Sequence, residues 1–197
     1  MNATTTTPAR VSAADALSAI LSENVHVVDQ LRDASPAMLD AAAERLQRAE
    51  RIFVLGAGRS GLALRMTAMR LMHLGLEVHV VGEVTTPAIA DGDVLLVASG
   101  SGTTGAIVRA AETASALGVE IVALTTDADS PLGRLAEVTL VIPAAAKQDH
   151  GGPLSVQYSG GLFEQSVLFV GDALFHTLWK ASGATAEELW PRHANLE

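Results

Sequence analysis

The chain has 197 residues, which is enough for one well-filled domain and too few for two large ones. Hydrophobic residues make up 49% of it, which excludes extensive disorder, and the absence of cysteine excludes disulfides and thiolate metal sites. A net charge of −9 disfavours nucleic acid and anionic lipid as partners. No apolar run reaches the roughly 18 residues that cross a bilayer. We therefore expect a soluble, cytoplasmic protein.

The first part of the chain is predicted to hold two helices and no strand. Residues 1–10 are rich in Thr and Ala and lack the apolar core of a signal sequence, so we expect a disordered tip. Residues 11–197 are predicted to form a single domain. Apolar residues at spacings of three and four predict helices over 11–31 and 35–48, the second with Ser35 as its cap.

Strands and helices alternate in the next part. Short apolar runs predict buried strands at 51–55, 77–81, 93–98, 120–124 and 137–142. Helical patterns lie at 59–74, 103–117 and 131–136. This alternation predicts an α/β fold with a five-stranded parallel sheet covered by helices on both faces. A polar, Gly-rich loop is predicted at 144–159, then a long apolar helix over 161–182 and a short helix opened by the capping sequence at 185–188.

Two turns that lead from a predicted strand into a helix are rich in glycine. Residues 56–61 read GAGRSG, and residues 99–105 read SGSGTTG. Glycine lets the backbone approach a ligand closely, and the free N–H groups and dipole of a helix start attract anions. Hydroxyl groups add further donors. The second turn is therefore predicted to bind one phosphate through the hydroxyls of Ser99, Ser101, Thr103 and Thr104.

The first turn has several interpretations. Gly56, Gly58 and Gly61 form the G-x-G-x-x-G pattern of dinucleotide sites, but that function needs an acidic residue at the end of the next strand. Glu77 lies near the required spacing and at the start of that strand instead. The glycines can also serve tight turns alone. Arg59 is either a ligand of a phosphate or sugar, with Gly58 allowing close approach, or a solvated side chain.

The motif SGSGTT at 99–104 resembles the phosphate loop of the sugar isomerase (SIS) domain. Further segments resemble the 6-phospho-3-hexuloisomerases, a family of SIS domains. They are AMRLMHLG at 68–75, VVGE at 80–83, TTPAI at 85–89, LFEQ at 162–165 and RHANLE at 192–197. The resemblance covers nearly the whole chain from about residue 11. The sequence departs from the family at Thr103, where many SIS loops have Glu, and at 158–161, which read YSGG.

The resemblance implies a flavodoxin-like three-layer core, no metal, no organic cofactor, and a homotetramer with active sites shared between subunits. It implies an isomerase that interconverts 6-phospho-3-hexulose and fructose 6-phosphate in the ribulose monophosphate pathway of formaldehyde fixation. By the same resemblance, Glu164 matches the presumed catalytic carboxylate. The positions that match the family's phosphate site are Ser60, Ser99, Ser101 and Thr104.

Two residues are candidates for proton transfer. Moving a carbonyl from carbon 3 to carbon 2 passes through a cis-enediol, and one base can take the proton from one carbon and return it to the other. Glu164, near the start of an apolar helix, is the expected base; alternatively it only complements the helix dipole. His193 is expected to donate a proton to the enediol oxygens, in its own or a neighbouring subunit's site, or else it lies in a subunit contact.

Other functions compete with the isomerase. A non-catalytic sensor of sugar phosphates would use the same phosphate loop, and so would an isomerase of another phosphosugar. Only about 50 residues precede the first strand, without a basic cluster, which disfavours a regulator carrying a DNA-binding module. Asp172 and His176 lie one helical turn apart, but no third ligand joins them, so no metal site is predicted.

Overall fold

The structure, a computed structural model, describes residues 11–144 and 155–196. The predictions for residues 1–10 and for most of the loop at 144–159 lie outside the described residues. The helices are α1 (Ala13–Ala34), α2 (Pro36–Arg48), α3 (Gly58–Leu74), α4 (Gly105–Ala116), α5 (Gly161–Ser182) and α6 (Ala186–Leu189). The strands are β1 (Ile52–Gly56), β2 (Val78–Val80), β3 (Val94–Ala98), β4 (Glu120–Thr125) and β5 (Val138–Val141).

The five strands form one parallel sheet in the order β2-β1-β3-β4-β5. Central strand β3 is buried along its whole length, which explains why its sequence is continuously apolar. The first strand pairs with the third from Ile52 opposite Val94 to Gly56 opposite Ala98. The predicted fold class is confirmed.

Successive strand residues point to opposite faces of the sheet and build two separate apolar clusters. Ile52, Val54 and Leu96 pack with α1, α2, α3 and α5 on one face. Phe53 and Leu95 pack with α4 on the other face, together with a short 3₁₀ turn near the last strand. The sheet therefore lies between two helical layers of unequal size.

Helices α3 and α5 run side by side in the same direction. Arg59 pairs with Glu164 near their starts, and the Arg70 guanidinium lies over the Phe175 ring further along. Between these contacts the backbones approach so closely that a Cβ added to Gly171 would overlap the Thr67 side chain. Both helices thus begin at the carboxyl edge of the sheet.

Two predicted details are confirmed only in part. The short helix predicted at 131–136 is a 3₁₀ helix that covers only Gly133–Leu135, because only one turn fits between Pro131 and β5. Ser35 does precede α2, but its hydroxyl makes no capping bond; its backbone N–H instead ends α1 by donating to the Leu31 carbonyl at 3.1 Å. Within residues 11–144 and 155–196, no helix combines the length and apolar character that crossing a membrane requires.

Candidate active site

The first Gly-rich turn joins β1 to α3. A Cβ on Gly61 would overlap the Gly56 carbonyl oxygen, and one on Gly56 would lie 2.8 Å from the Gly61 nitrogen, so the tight turn itself requires these two glycines. Gly58 has φ of +58° with open space around it, while Ser60 is buried in the first turn of α3. Glu77 lies at the amino end of β2, on the opposite edge of the sheet, which disfavours a dinucleotide site.

The second Gly-rich turn joins β3 to α4 and gathers hydroxyl groups. Ser99 is buried, and its Oγ lies 3.2 Å from the Thr104 Oγ1. The Thr103 hydroxyl donates to Ser101 Oγ at 3.0 Å. The backbone N–H of Val108 donates to the Thr104 carbonyl, so the N–H groups of residues 105–107 have no acceptor within the helix. Hydroxyls and helix N–H groups together form a site that suits an anion.

Polar side chains at the end of β4 and just after it hold this second turn in place. The Gly100 carbonyl accepts hydrogen bonds from the Thr126 N–H at 2.9 Å, the Thr126 hydroxyl at 2.8 Å and the Thr125 hydroxyl at 3.2 Å. Gly102 has φ of +61° and packs directly against the Ser130 side chain. Sequence reasoning missed these three residues. The polar run TTDADS at 125–130, at the carboxyl end of β4, is the signal that points to them.

The candidate base lies in the first turn of α5. The Glu164 side chain is 5% exposed, and its Oε2 lies 2.6 Å from Nε of Arg59, whose own side chain is 66% exposed. An arginine at the start of α3 thus compensates a buried negative charge. The two residues are far apart in the sequence, and no local pattern predicted that they pair.

The two turns and the start of α5 meet at one corner of the molecule. Gly56 and Ala98 are paired, so both turns leave the sheet from neighbouring strands. A Cβ added to Gly100 would lie 3.4 Å from the Phe163 ring, next to Glu164. The structure therefore brings together eight of the predicted site residues: Gly58, Arg59, Ser60, Ser99, Ser101, Thr103, Thr104 and Glu164.

His193 lies elsewhere. Its ring stacks on that of His73, with 3.9 Å between centroids, and on Trp190 at 4.6 Å. His73 is near the carboxyl end of α3, whereas Arg59 is near its start, so the length of the helix separates His193 from Glu164 by roughly 20 Å. Within one chain the two predicted catalytic residues do not meet. A role for His193 in a neighbouring subunit's site stays a prediction.

The surroundings of His193 indicate a packed corner. Burial lowers the pKa of His73, and the neighbouring His193 and Arg70 lower it further. Arg192 donates to the carbonyl oxygens of His73, at 3.5 Å, and Glu188, at 3.4 Å. Arg192 therefore helps to fasten the end of the chain to the carboxyl end of α3.

The pair Asp172 and His176 shows other contacts. The carboxylate of Asp172 lies 3.6 Å from Nε of Arg70, and the His176 ring meets Trp179 edge-on at 5.9 Å. Among the residues that the structure describes, no group of three His, Cys, Asp or Glu side chains could hold a metal ion. The prediction that no metal is needed stays a prediction.

Comparison with known proteins identifies the family. The model of the SIS domain matches residues 45–162, more than half of the chain and a range that includes both Gly-rich turns. The chain belongs to the SIS-domain family. The resemblance inferred from the turn at 99–104 is thereby confirmed. The matched range ends just inside α5, so most of that helix lies outside it.

Relatives cover most of this SIS-domain protein. The 3-hexulose-6-phosphate isomerase of Mycobacterium gastri is 55% identical over 171 residues, 87% of this chain and 86% of the relative. The enzyme of the same name from Bacillus subtilis (strain 168) is 39% identical over 159 residues, 80% and 86% of the two chains. A solved structure from Methanococcus jannaschii, from which a function of 3-hexulose-6-phosphate isomerase was inferred, aligns with a TM-score of 0.79. It is 29% identical, over 93% of this chain and 99% of that one.

Proposed function

We propose that this SIS-domain protein is an isomerase that interconverts 6-phospho-3-hexulose, also called 3-hexulose 6-phosphate, and fructose 6-phosphate. The observation that carries the proposal is the meeting of a phosphate-type turn with the buried carboxylate of Glu164. The 55% identity to an enzyme of that name supports this choice of substrate. The reaction would belong to the ribulose monophosphate pathway of formaldehyde fixation.

The phosphate is proposed to bind at the start of α4. The N–H groups of residues 105–107 point along the helix axis toward the turn, where the helix dipole favours negative charge. Hydroxyls in and beside the turn supply further donors; in our proposal they belong to Ser60, Ser99, Ser101, Thr103 and Thr104. Donors confined to one corner can bind a sugar phosphate although the whole chain carries a net charge of −9.

Glu164 is proposed to carry the proton between carbons 2 and 3. Its carboxylate takes the proton from carbon 2 of the open-chain 3-ketose, and a double bond forms between carbons 2 and 3 as the oxygen on carbon 3 takes a proton from the acid that we propose, His193 of a neighbouring site. Return of the first proton from Glu164 to carbon 3, with transfer of the oxygen-2 proton to that same His193, gives the 2-ketose. Burial of Glu164 removes competing water from this step.

Arg59 is proposed to contact two partners, the carboxylate of Glu164 and the bound substrate. Its guanidinium compensates the buried carboxylate, with 2.6 Å between the Arg59 Nε and the Glu164 Oε2. Because its side chain is 66% exposed, it can also reach a sugar oxygen or the phosphate beside it. We propose this second contact for the enzyme with substrate bound.

The proposal includes an assembly and a location. We propose a cytoplasmic homotetramer with active sites shared between subunits, in which His193 donates to the enediol oxygens in a neighbouring site. Exposed apolar side chains on α1 and α3 support association. Within one chain His193 lies too far from Glu164 to take part.

A coupled assay tests the proposed activity. The purified protein receives formaldehyde, ribulose 5-phosphate and a hexulose-phosphate synthase, and fructose 6-phosphate is measured. We expect fructose 6-phosphate to form at a rate proportional to the amount of protein added. Product no faster than in the synthase-only control would contradict the proposal.

Glu164→Gln distinguishes the enzyme from a non-catalytic sensor. The amide keeps the size of the side chain but cannot accept the proton, so we expect turnover to fall about a hundredfold or more. Binding of fructose 6-phosphate, measured by calorimetry, should persist in the variant. If turnover persists as well, Glu164 is not the base. If the wild-type protein binds the sugar phosphate without turnover, it is a sensor.

A further inference from the structure

Glu23 on α1 binds the segment that leads into α5. Its Oε1 accepts the backbone N–H of Val156 at 2.6 Å. Its Oε2 accepts the hydroxyl of Ser155 at 2.9 Å and the side-chain amide of Gln157 at 3.0 Å. One carboxylate thus holds three consecutive residues that follow it by more than 130 positions.

The contact continues into the first turns of α5. Gln157 accepts a hydrogen bond from the amide of Gln165 at 2.9 Å, and Gln165 in turn accepts from Asn24 at 2.7 Å. Asn24 is buried beside Glu23 on α1 and also donates to the Ile20 carbonyl at 2.9 Å. A continuous path of hydrogen bonds therefore runs from Glu23 on α1 through residues 155–157 to Gln165 on α5, and from there back to Asn24 on α1.

This path holds α5 next to the candidate base. Gln165 directly follows Glu164, and the turn before the helix contains two positive φ angles, +24° at Ser159 and +79° at Gly160. Such a turn needs support from its surroundings. If α5 began one residue earlier or later, Glu164 would be rotated by about 100° around the helix axis and would point away from the phosphate turn.

The environment of Glu23 suits a charged acceptor. Burial raises the pKa of Glu23, but hydrogen bonds from Val156, Gln157 and Ser155 outweigh it, and the pKa lies below its ordinary value. The carboxylate is therefore ionised at neutral pH. Hydrogen bonds to an ionised acceptor are stronger than neutral ones.

We propose that Glu23 is a positioning residue of the isomerase, which fixes the start of α5 through Gln157 and Gln165 and thereby directs the carboxylate of Glu164. The inference rests on the proposed function, in which Glu164 transfers the proton. It adds a residue of α1 that lies before the first strand and outside the matched SIS-domain range.

Glu23→Ala tests the proposal in the coupled assay, with Asp29→Ala as the matched control. Asp29 is an acidic residue on the same helix, half exposed, and pairs with Arg32 at 2.9 Å. For Glu23→Ala we expect kcat to fall about tenfold to a hundredfold, because small misplacements of a reacting group are costly. KM should stay within about twofold, since the phosphate turn is untouched. Asp29→Ala should leave both parameters unchanged.

An exchange of the two partners separates positioning from general stabilisation. Gln157→Glu alone places two carboxylates at the 3.0 Å contact and should lower kcat. In the double variant E23Q/Q157E, the amide at position 23 donates to the carboxylate at position 157 and still accepts from Val156. The acceptor for Gln165 is also kept. We expect the double variant to recover kcat to within about threefold of the wild type.

The outcomes distinguish this inference from the proposed function. A wild-type protein without activity overturns both. An active wild type whose kcat is unchanged in Glu23→Ala overturns only the role of Glu23, and so does a double variant no better than Gln157→Glu. If Glu23→Ala does not fold, as judged by circular dichroism, Gln157→Ala replaces it, because Gln157 is only partly buried. An unchanged kcat in that folded variant also overturns the inference.

Discussion

Two buried carboxylates show how the same pairing with arginine serves different purposes. Asp93 receives two hydrogen bonds from Arg51, at 2.9 and 2.6 Å, and one from the Ala90 N–H at 2.8 Å. Its side chain has no exposed surface. Glu164 is paired with an arginine that is largely exposed. The first carboxylate is fixed at the amino edge of β3, and the second has a partner whose exposed side chain leaves it room to move, as the role that we propose for Glu164 requires.

We predict that Asp93→Asn lowers the free energy of unfolding by about 3 kcal/mol, because it leaves a partly buried arginine without its counter-charge. Urea unfolding followed by circular dichroism measures the change. Asp29→Asn, at a half-exposed position, is the control and should change the free energy by less than about 0.5 kcal/mol. Equal stability of the two variants would contradict a structural role for Asp93.

Asp93 also predicts how stability depends on pH. Burial raises the pKa of Asp93, but hydrogen bonds from Arg51 and from the Ala90 N–H outweigh it and lower the pKa below 3.8. The stabilisation is therefore complete above the pKa of the unfolded chain and is lost as pH falls through the lower folded pKa. The difference in unfolding free energy between wild type and Asp93→Asn should shrink as pH drops below about 4. A difference that stays constant down to about pH 2 would contradict this.

At the scale of elements, the pair α3 and α5 carries the candidate site. Arg59 starts one helix and Glu164 starts the other, so their separation depends on how the helices pack. Gly171 and Thr67 set that packing at the closest approach of the two backbones. A change at this contact should therefore affect both stability and turnover.

We predict that Gly171→Ala destabilises the protein by about 1–2 kcal/mol. The added methyl group would overlap the Thr67 side chain, and the cost of this clash exceeds the stabilisation that alanine brings through its higher helix propensity. Thermal unfolding measures the effect. Thr67→Ala in the same chain makes room, so the double variant should be more stable than Gly171→Ala alone. If the two substitutions add without coupling, the close contact does not determine stability.

The sequence predicted elements better than it predicted contacts. Helix and strand periodicity and the Gly-rich turns are local signals, so the order of elements and the phosphate turn could be located. The pairs Arg59 with Glu164 and Glu23 with Val156 join residues that are distant in the sequence, and only the packing of α1, α3 and α5 brings them together. The short helix predicted at 131–136 is longer than the 3₁₀ helix that forms there, because six residues carry too little periodicity to locate its ends.

At the scale of the whole molecule, the helical surface is more apolar than one chain requires. Helix α3 presents a stripe at spacings of four and three, with Leu62 62%, Met66 54% and Met69 59% exposed. Helix α1 presents Leu17, Leu21 and Val25, each more than half exposed. These surfaces are where we expect other copies of the chain to bind.

We predict that Met66→Glu combined with Met69→Glu dissociates the proposed tetramer, because buried unpaired charges oppose association. Sedimentation velocity at micromolar concentration measures the state. Val84→Glu is the control, since Val84 is fully exposed outside both stripes. With shared sites, turnover should fall in parallel with the loss of tetramer. A monomeric wild type would contradict the assembly.

The pairing of Gly56 with Ala98 places the two Gly-rich turns side by side at the edge of the sheet. Adjacent strands lie about 4.8 Å apart, so the two Gly-rich turns begin closer together than the length of an extended hexose phosphate. A single sugar phosphate is therefore long enough to contact both turns. Ser60→Ala and Ser101→Ala should accordingly weaken fructose 6-phosphate binding by amounts that do not add in the double variant, whereas strict additivity in calorimetry would indicate two separate subsites.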